Sequence, residues 1–240
     1  PVTGFIEKVI DKINQSESIG KFVVSVDINS GVDSDSGQLI GPHVKANLTL
    51  ALAHWKQSHF LHPAAGVMGK VRLIDIGVPV KACEDQNIQV HQSEDEDIKS
   101  YFQKRDPNSH KGSYGHVLVL AGSKGKGGAA GLTALAVLRA GAGLCTLALP
   151  NSSQKAFEVH PMEVMTVPLP ETASGTLSLK AKESILDLLE GKSVVAIGPG
   201  ISTDAETVAL IGELLPFIKC PLVLDADALN TISQHNNWLK

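Results

Sequence analysis

Cysteine is scarce in this chain of 240 residues: there are three, Cys83, Cys145 and Cys220, and no two form a Cys-x-x-Cys pair. An odd, scattered count argues against a disulfide framework. Cys145 and Cys220 flank or lie in apolar runs and read as reduced, small hydrophobes rather than reactive thiols. No apolar run reaches the ~18 residues of a membrane span, and no signal-peptide pattern opens the chain. A strong excess of either charge is also missing: 21 Lys+Arg face 25 Asp+Glu, a net charge of -4. That balance gives no reason to expect nucleic acid or an acidic membrane as partner. The rest is 43% hydrophobic and 19% charged, an ordinary globular composition with room for one large domain or two ordinary ones. A soluble, cytoplasmic protein is expected. There is no initial methionine, and helical spacing (Phe5, Ile6, Val9, Ile10, Ile13) begins at once, so a fragment of a longer chain is expected.

Glycine, by contrast, is concentrated where it matters. Residues 110–150 read as strand, glycine-rich turn, helix, strand. Val117 to Ala121 suits a buried strand. Gly122 to Gly128 contains four glycines, two lysines and a serine. Ala129 to Ala140 suits a buried helix stopped by Gly141 and Gly143, and Leu144 to Leu149 the next strand. A glycine-rich loop lets backbone N–H groups approach a ligand, and the helix N-terminus adds about half a positive charge. Together they suit an anion such as pyrophosphate. Ala129 and Ala130 would let a ligand lie against the helix. The loop is neither a Walker A sequence nor GxGxxG, and a flexible strand–helix turn without a ligand is the other reading.

Upstream, Lys21 to Ile28 reads as a buried strand ending in Asp27, followed by the loop NSGVDSDSG. A carboxylate at the C-terminal end of a parallel strand is where α/β folds place ligand-binding groups, and its oxygens suit a hard cation. An ordinary loop with Asx-turns at Asp33 and Asp35 is the alternative; the spacing is not that of an EF-hand. Leu48 to Ala53 is a second strand. His54, His59 and His62 follow within nine residues, but without partners at ligand spacing they are not read as a metal site. Gly69 to Pro79 closes with a last strand. The acidic stretch from Glu84 to Asp97 reads as a solvated linker or short surface helix, placing a domain boundary near residue 100. Downstream, Met162, Val164, Met165 and Val167 suggest a strand. Lys180 to Glu190 is helical, Ser193 to Ile197 a strand running into Gly198-Pro199-Gly200, Ala205 to Leu215 a helix, and Cys220 to Asp225 a strand ending in Asp225-Ala226-Asp227. This alternation means a parallel, helix-covered sheet.

The motifs HKGSYGHVLVLAGS and GGAAGLTALAVLRAGAGL, then AIGPGIST and PLVLDADALN, resemble in order the ADP/ATP-dependent NAD(P)H-hydrate dehydratases. DINSGVDSDSGQ, followed by VKANLTLALAHWKQSHFLHPAAGVMGKVRLIDIGVP, resembles the second half of an NAD(P)H-hydrate epimerase domain, with Asn29 in place of the usual proline and Lys56-Gln-Ser in place of Lys-Pro-Gly. The resemblance implies an α/β chain of two three-layer α/β/α units, both incomplete. Residues 1–100 would be the C-terminal part of a Rossmann-like epimerase domain, and residues 101–240 the N-terminal part of a ribokinase-like dehydratase domain.

The function so implied is cofactor repair. Epimerase and dehydratase together would interconvert the R and S hydrates of NADH and NADPH (NADHX and NADPHX) and dehydrate the S epimer with hydrolysis of a nucleotide, ADP by family habit and otherwise ATP. Carried over by position, Asp27 would be catalytic and contact the substrate, and Ser30 would help bind a potassium ion. Ala129 and Gly200 would contact substrate, and Asp225 and Asp227 substrate or Mg²⁺. A homo-oligomer is plausible for the family. The family's GxGD segment, with its expected catalytic base, is not found before Lys240. Two other readings stay open: another ribokinase-like small-molecule kinase, or a non-catalytic nucleotide-binding module.

Overall fold

The computed structural model describes residues 2–79, 81–84, 88–102, 104–157 and 163–239. The chain divides into two compact units, residues 1–97 and 98–240.

In the first unit, helix α1 (Phe5–Ser18) turns one side inward at Ile10, while Phe5, Ile6 and Val9 face solvent. Its Asn14 is tied to the following loop by bonds to the His43 carbonyl and from the Lys45 N–H, both 2.9 Å. Three parallel strands follow, β1 (Val24–Val26), β2 (Leu48–Leu52) and β3 (Lys70–Ile74), with β2 in the middle. Only β2 alternates inward, burying Thr49 and Ala51. The buried strand expected over Lys21 to Ile28 is corrected here. It is three residues long and lies at the sheet edge, where Val24 and Val26 are 47% and 62% exposed because no described residue covers that face. The acidic stretch carries two short helices, α2 (Lys81–Glu84) and α3 (Asp95–Lys99).

The second unit is a five-stranded, all-parallel sheet. The strands are β4 (His116–Leu120), β5 (Leu144–Pro150), β6 (Met165–Leu169), β7 (Val194–Ile197) and β8 (Leu222–Leu224), in the spatial order β6-β5-β4-β7-β8. Side chains alternate strictly along β4. Leu118 and Leu120 join one apolar cluster with Ile185, Leu210 and Leu214, from helices α5 (Lys182–Leu189) and α6 (Ala205–Leu214). Val119 joins the other with Ala130 and Ala134 of α4 (Gly127–Arg139). Both faces are therefore covered, as an all-parallel sheet requires. Burying a leucine such as Leu147 or Leu149 contributes about 2 kcal/mol. The strand expected around Met162 begins at Met165, and Met162 lies outside the described residues. Helix α6 is capped by Asp204, which accepts from the Glu206 N–H. Helix α7 (Asp227–Gln234) follows β8.

Burial explains the thiols. Cys145 is fully buried in β5, and the lost solvation pushes its pKa up to about 11, so it is an inert packing group. Cys220 is unbridged and half-buried. The side chain of Cys83 lies outside the described residues.

Candidate functional site

Backbone strain marks where each unit keeps its polar groups. Among the described residues, four that are not glycine adopt positive φ: Asp27 (66°), Ala53 (60°), Ser202 (78°) and Ala226 (50°). Asp27 and Ala53 directly follow the C-terminal ends of β1 and β2, Ala226 lies just beyond the end of β8, and Ser202 lies in the loop after β7. Such conformations cost about 1–3 kcal/mol each. The C-terminal ends of parallel strands are also where α/β sheets bind ligands.

In the first unit this end is built from side chains. Asp27 Oδ1 accepts from the Leu52 N–H at 3.0 Å and from the Lys56 ammonium at 2.5 Å. Lys56 Nζ donates also to the Leu52 carbonyl at 2.8 Å. His59 is buried, and both its ring nitrogens are used. Nδ1 accepts from the Lys56 N–H at 3.1 Å, so Nε2 carries the proton donated to the Asp27 carbonyl at 3.0 Å. Partial burial alone would raise the Asp27 pKa. The Lys56 and Leu52 hydrogen bonds, with the positive charge of Lys56, outweigh it and hold the group below the ordinary value of 3.8.

The loop after Asp27 is equally fixed. Asn29 is buried; its Nδ2 donates to the carbonyls of Val44 and Val67 at 2.9 and 2.8 Å, and its Oδ1 accepts from Thr49 Oγ1 at 2.9 Å. The stiffness that proline would lend to this loop is thus supplied by three side-chain bonds. Gly31 allows the close approach of residues 42 and 43, since a Cβ there would lie 2.2 Å from the Pro42 carbonyl oxygen. Asp33 closes an Asx-turn, accepting from the Ser36 hydroxyl, Ser36 N–H and Asp35 N–H. Of the two readings left open for Asp33, the turn former is the one the geometry supports. Ser30 is exposed, and its hydroxyl makes no hydrogen bond among the described residues.

Beside this network lies a cleft of about 630 Å³, lined by Trp55, Lys56, Phe60, Asp35 and the strip from Ile88 to Gln92. Trp55 packs on Phe60 with ring centres 5.2 Å apart. Asp27 does not line the cleft; Lys56 links the two. Of the three histidines, His59 is committed as above, and among the described residues no group of three or more His, Cys, Asp or Glu is placed to hold a metal.

In the second unit the corresponding end is built from backbone. The sheet order reverses at β4, between β5 and β7, so the crevice at the ends of β4 and β7 is a topological switch point. Gly122–Gly128 leaves β4 there and Gly198-Pro199-Gly200 leaves β7. The two loops are sewn together by Gly122 N–H to the Pro199 carbonyl (2.9 Å), Gly198 N–H to the Leu120 carbonyl (3.1 Å) and Ser123 Oγ to the Gly200 carbonyl (2.7 Å). A Cβ on Gly200 would meet the Lys126 carbonyl at 2.8 Å and Ala129 Cβ at 3.2 Å, so Gly200 and Ala129 stand side by side. The N–H groups of Gly125, Gly127 and Gly128 have no acceptor among the described residues. They surround the start of α4, an arrangement able to hold an anion. Ala130 corrects the expectation that both alanines open toward a ligand: it is buried against Gly122, and only Ala129 is half-exposed.

Asp227 ties a third strand end to this crevice. It accepts from the Ser202 N–H at 2.9 Å, from Lys126 Nζ at 3.2 Å and from Asn230 at 3.4 Å. Burial opposes its ionisation; the Ser202 and Lys126 bonds and the lysine's charge prevail and lower its pKa below 3.8. Asp225 is exposed, and its carboxylate makes no hydrogen bond among the described residues. The structure therefore gathers Ala129, Gly200 and Asp227 at one crevice of the second unit, and Asp27 and Ser30 on one loop of the first. The pairing of Lys126 with Asp227 spans 101 residues and leaves no local sequence signal. Nor does the His59–Asp27 clamp, because nothing local distinguishes His59 from His54 and His62.

Comparison with known proteins gives concordant results. A family model described as NAD(P)H-hydrate dehydratase matches residues 117–240, and one described as YjeF-related protein N-terminus matches residues 1–58. The bifunctional NAD(P)H-hydrate repair enzyme Nnr of Moorella thermoacetica is 39% identical over 230 residues, 96% of this chain and 43% of that protein. Its namesake from Thermofilum pendens is 34% identical over 239 residues, 100% of this chain and 44% of that protein. The chain thus spans less than half the length of these relatives. A ribokinase-like superfamily protein of Enterococcus faecalis superposes with a TM-score of 0.51 at 23% identity, covering 58% of this chain and 46% of the other, a likeness of fold.

Proposed function

Because this chain belongs to the NAD(P)H-hydrate dehydratase family, we propose that it is part of a two-activity repair enzyme for hydrated NADH and NADPH. Residues 101–240 belong to the dehydrating half and residues 1–100 to the epimerising half. The observation that carries this is the overlap of the matched segment, residues 117–240, with the switch-point crevice at the ends of β4 and β7. Loss of water from the S hydrate is slow because hydroxide leaves poorly. Transfer of a phosphoryl group from ADP or ATP to the ring hydroxyl makes a better leaving group, which suits a kinase-like fold. In this reading the Gly125–Gly128 amides receive the dinucleotide's pyrophosphate, and Ala129 and Gly200 form the wall against which it lies.

Mg²⁺ accompanying the nucleotide fits Asp225, whose carboxylate is exposed; Asp227 fits only if Lys126 gives way. Such an ion usually takes one or two carboxylates plus substrate phosphates, whose charge it neutralises. Potassium at Ser30 would find one uncommitted hydroxyl there, a fraction of the oxygens such a cation needs. Among the described residues no helix is long and apolar enough to cross a membrane; cytoplasmic location and homo-oligomeric assembly belong to this proposal.

The test is recovery of NADH absorbance from hydrated NADH with ADP, ATP or no nucleotide, using the natural chain that carries this sequence. Nucleotide-dependent recovery is expected. Recovery without nucleotide, or none at all, overturns the reading. Ala129→Trp should lower this recovery at least tenfold while leaving the melting temperature within a few degrees, because the residue is only half-buried. Full activity in that variant would remove Ala129 from the substrate wall.

A further inference from the structure

We propose that Lys56 is the proton carrier of the epimerising half, giving a proton to the substrate's ring hydroxyl and taking one back. This rests on the repair reading above. An ammonium has three N–H donors. Lys56 spends one on Asp27 Oδ1 and one on the Leu52 carbonyl, and no acceptor takes the third among the described residues. The side chain is 27% exposed and lines the cleft of about 630 Å³. That cleft offers Trp55 and Phe60, flat apolar surfaces suited to a planar ring. Lys56 is thus the one cation joining the cleft to the Asp27 network among the described residues. Asp27 Oδ2 accepts no hydrogen bond among them and stays available to ligand hydroxyls.

The chemistry of the hydrate makes such a group useful. Its hydroxyl sits on a ring carbon bonded to the ring nitrogen, as in any hemiaminal. Lys56 protonates the hydroxyl oxygen, the C–O bond breaks, and water departs. The electron pair on the adjacent nitrogen forms a C=N bond, leaving the ring cationic. Water then adds to the opposite face, the C=N electrons return to nitrogen, and the surplus proton passes to the neutral Lys56 amine. Nothing is oxidised or reduced. The positive charge moves from lysine to ring and back, while Asp27 stays anionic near both positions. That standing charge stabilises the ring cation without rearrangement, the condition under which electrostatic catalysis is strongest. His59 and Leu52 keep Asp27 and Lys56 in register through the Asp27 carbonyl, the Lys56 N–H and Asp27 Oδ1.

The decisive comparison is Lys56→Met against Lys56→Arg in the natural chain carrying this sequence. Conversion of R to S hydrate is followed by chromatography, and binding and melting temperature are measured alongside. Arginine keeps the charge facing Asp27 but does not release its proton. Both variants are expected to lose about 100-fold or more in epimerisation rate. Binding of hydrated NADH should weaken by no more than about tenfold, the worth of one hydrogen bond. A fast Lys56→Arg variant would overturn the proposal, reducing Lys56 to a counter-ion of Asp27, and a fast Lys56→Met variant would do so outright. If the methionine variant does not fold, the arginine variant decides. Failure of the unaltered protein to accelerate epimerisation would overturn the repair reading, and the proposal with it.

Discussion

The two units both gather polar groups at the C-terminal ends of parallel strands, but by different means. In the first, side chains do the holding: Asp27 is fixed by Lys56 and Leu52, its carbonyl by His59, and the next turn by Asn29. In the second, main chain does it: two glycine loops exchange backbone bonds, and open N–H groups remain for a ligand. Sheet burial differs in the same direction. Residues Cys145 to Pro150 of β5 are all buried, whereas β1 and β3 have no fully buried residue. A sheet covered on both faces can hold its loops by backbone bonds alone. A sheet open on one side must fix its site locally, with side-chain bonds that do not depend on distant packing.

On that contrast, a severely damaging substitution in the second unit is also the smallest possible one. A Cβ on Gly198 would lie 1.8 Å from the Asp225 carbonyl oxygen and 2.8 Å from the Ala228 methyl, at a φ of 134°. Neither partner is a flexible side-chain end. Gly198→Ala should destabilise the unit by about 4 kcal/mol or more, in the range reserved for core disruption. Thermal unfolding and amide exchange of β4 and β7 measure it. A melting temperature within a few degrees of the unaltered protein would show that these loops are not held as rigidly as described.

The counterpart in the first unit is Asn29. Asn29→Ala strands the Val44 carbonyl, while the Val67 carbonyl keeps the Ala46 N–H at 2.9 Å and Thr49 keeps its bond to the Met68 carbonyl at 2.7 Å. An unsatisfied buried group costs about 1–3 kcal/mol, so a loss of about 2 kcal/mol confined to the first unit is expected. Asn29→Pro sharpens the comparison. The Asn29 N–H makes no bond among the described residues, so proline removes only the side-chain bonds. It should destabilise as alanine does. A stabilised proline variant would mean that loop stiffness, not the three bonds, is what this position supplies.

Periodicity made the second unit largely legible, because its inner strands β4, β5 and β7 are apolar for a reason the pattern records: they lie in the part of the sheet covered on two sides. The same pattern misled at Lys21 to Ile28, where valines alternate as in a core strand yet face solvent. Hydrophobicity reports what a segment is suited to bury, not what covers it. Asp27, Ala129 and Gly200 stand out in the sequence because turns and strand ends have local signatures, whereas Ser30 is singled out only by the resemblance. Lys56 could be seen in its loop, but its bond to Asp27 crosses 29 residues. The Lys126–Asp227 pair spans 101, and Asn29's partners lie in three other segments. Such contacts depend on which strands become neighbours, a property of topology that no local spacing encodes.

The smallest expected difference between the units is their response to acid. In the second, His116 begins β4 with its Nε2 2.7 Å from Thr146 Oγ1. Burial first, and then the charge of Lys192, push its pKa below the ordinary 6.5. The unfolded chain therefore takes up this proton before the folded one does, so His116 leaves stability unchanged above about pH 6.5 and erodes it as the pH falls from there toward the lowered value. In the first unit, Asp27 is depressed below 3.8. Its contribution is present above that value and is lost only as the pH falls through the lowered one. Between about pH 6.5 and 4 the β4–β5 amides should lose exchange protection by a mechanism to which Asp27 adds nothing. His116→Gln should flatten the decline in the second unit. A decline of the same slope in that variant would assign it to other groups and remove His116 from the account.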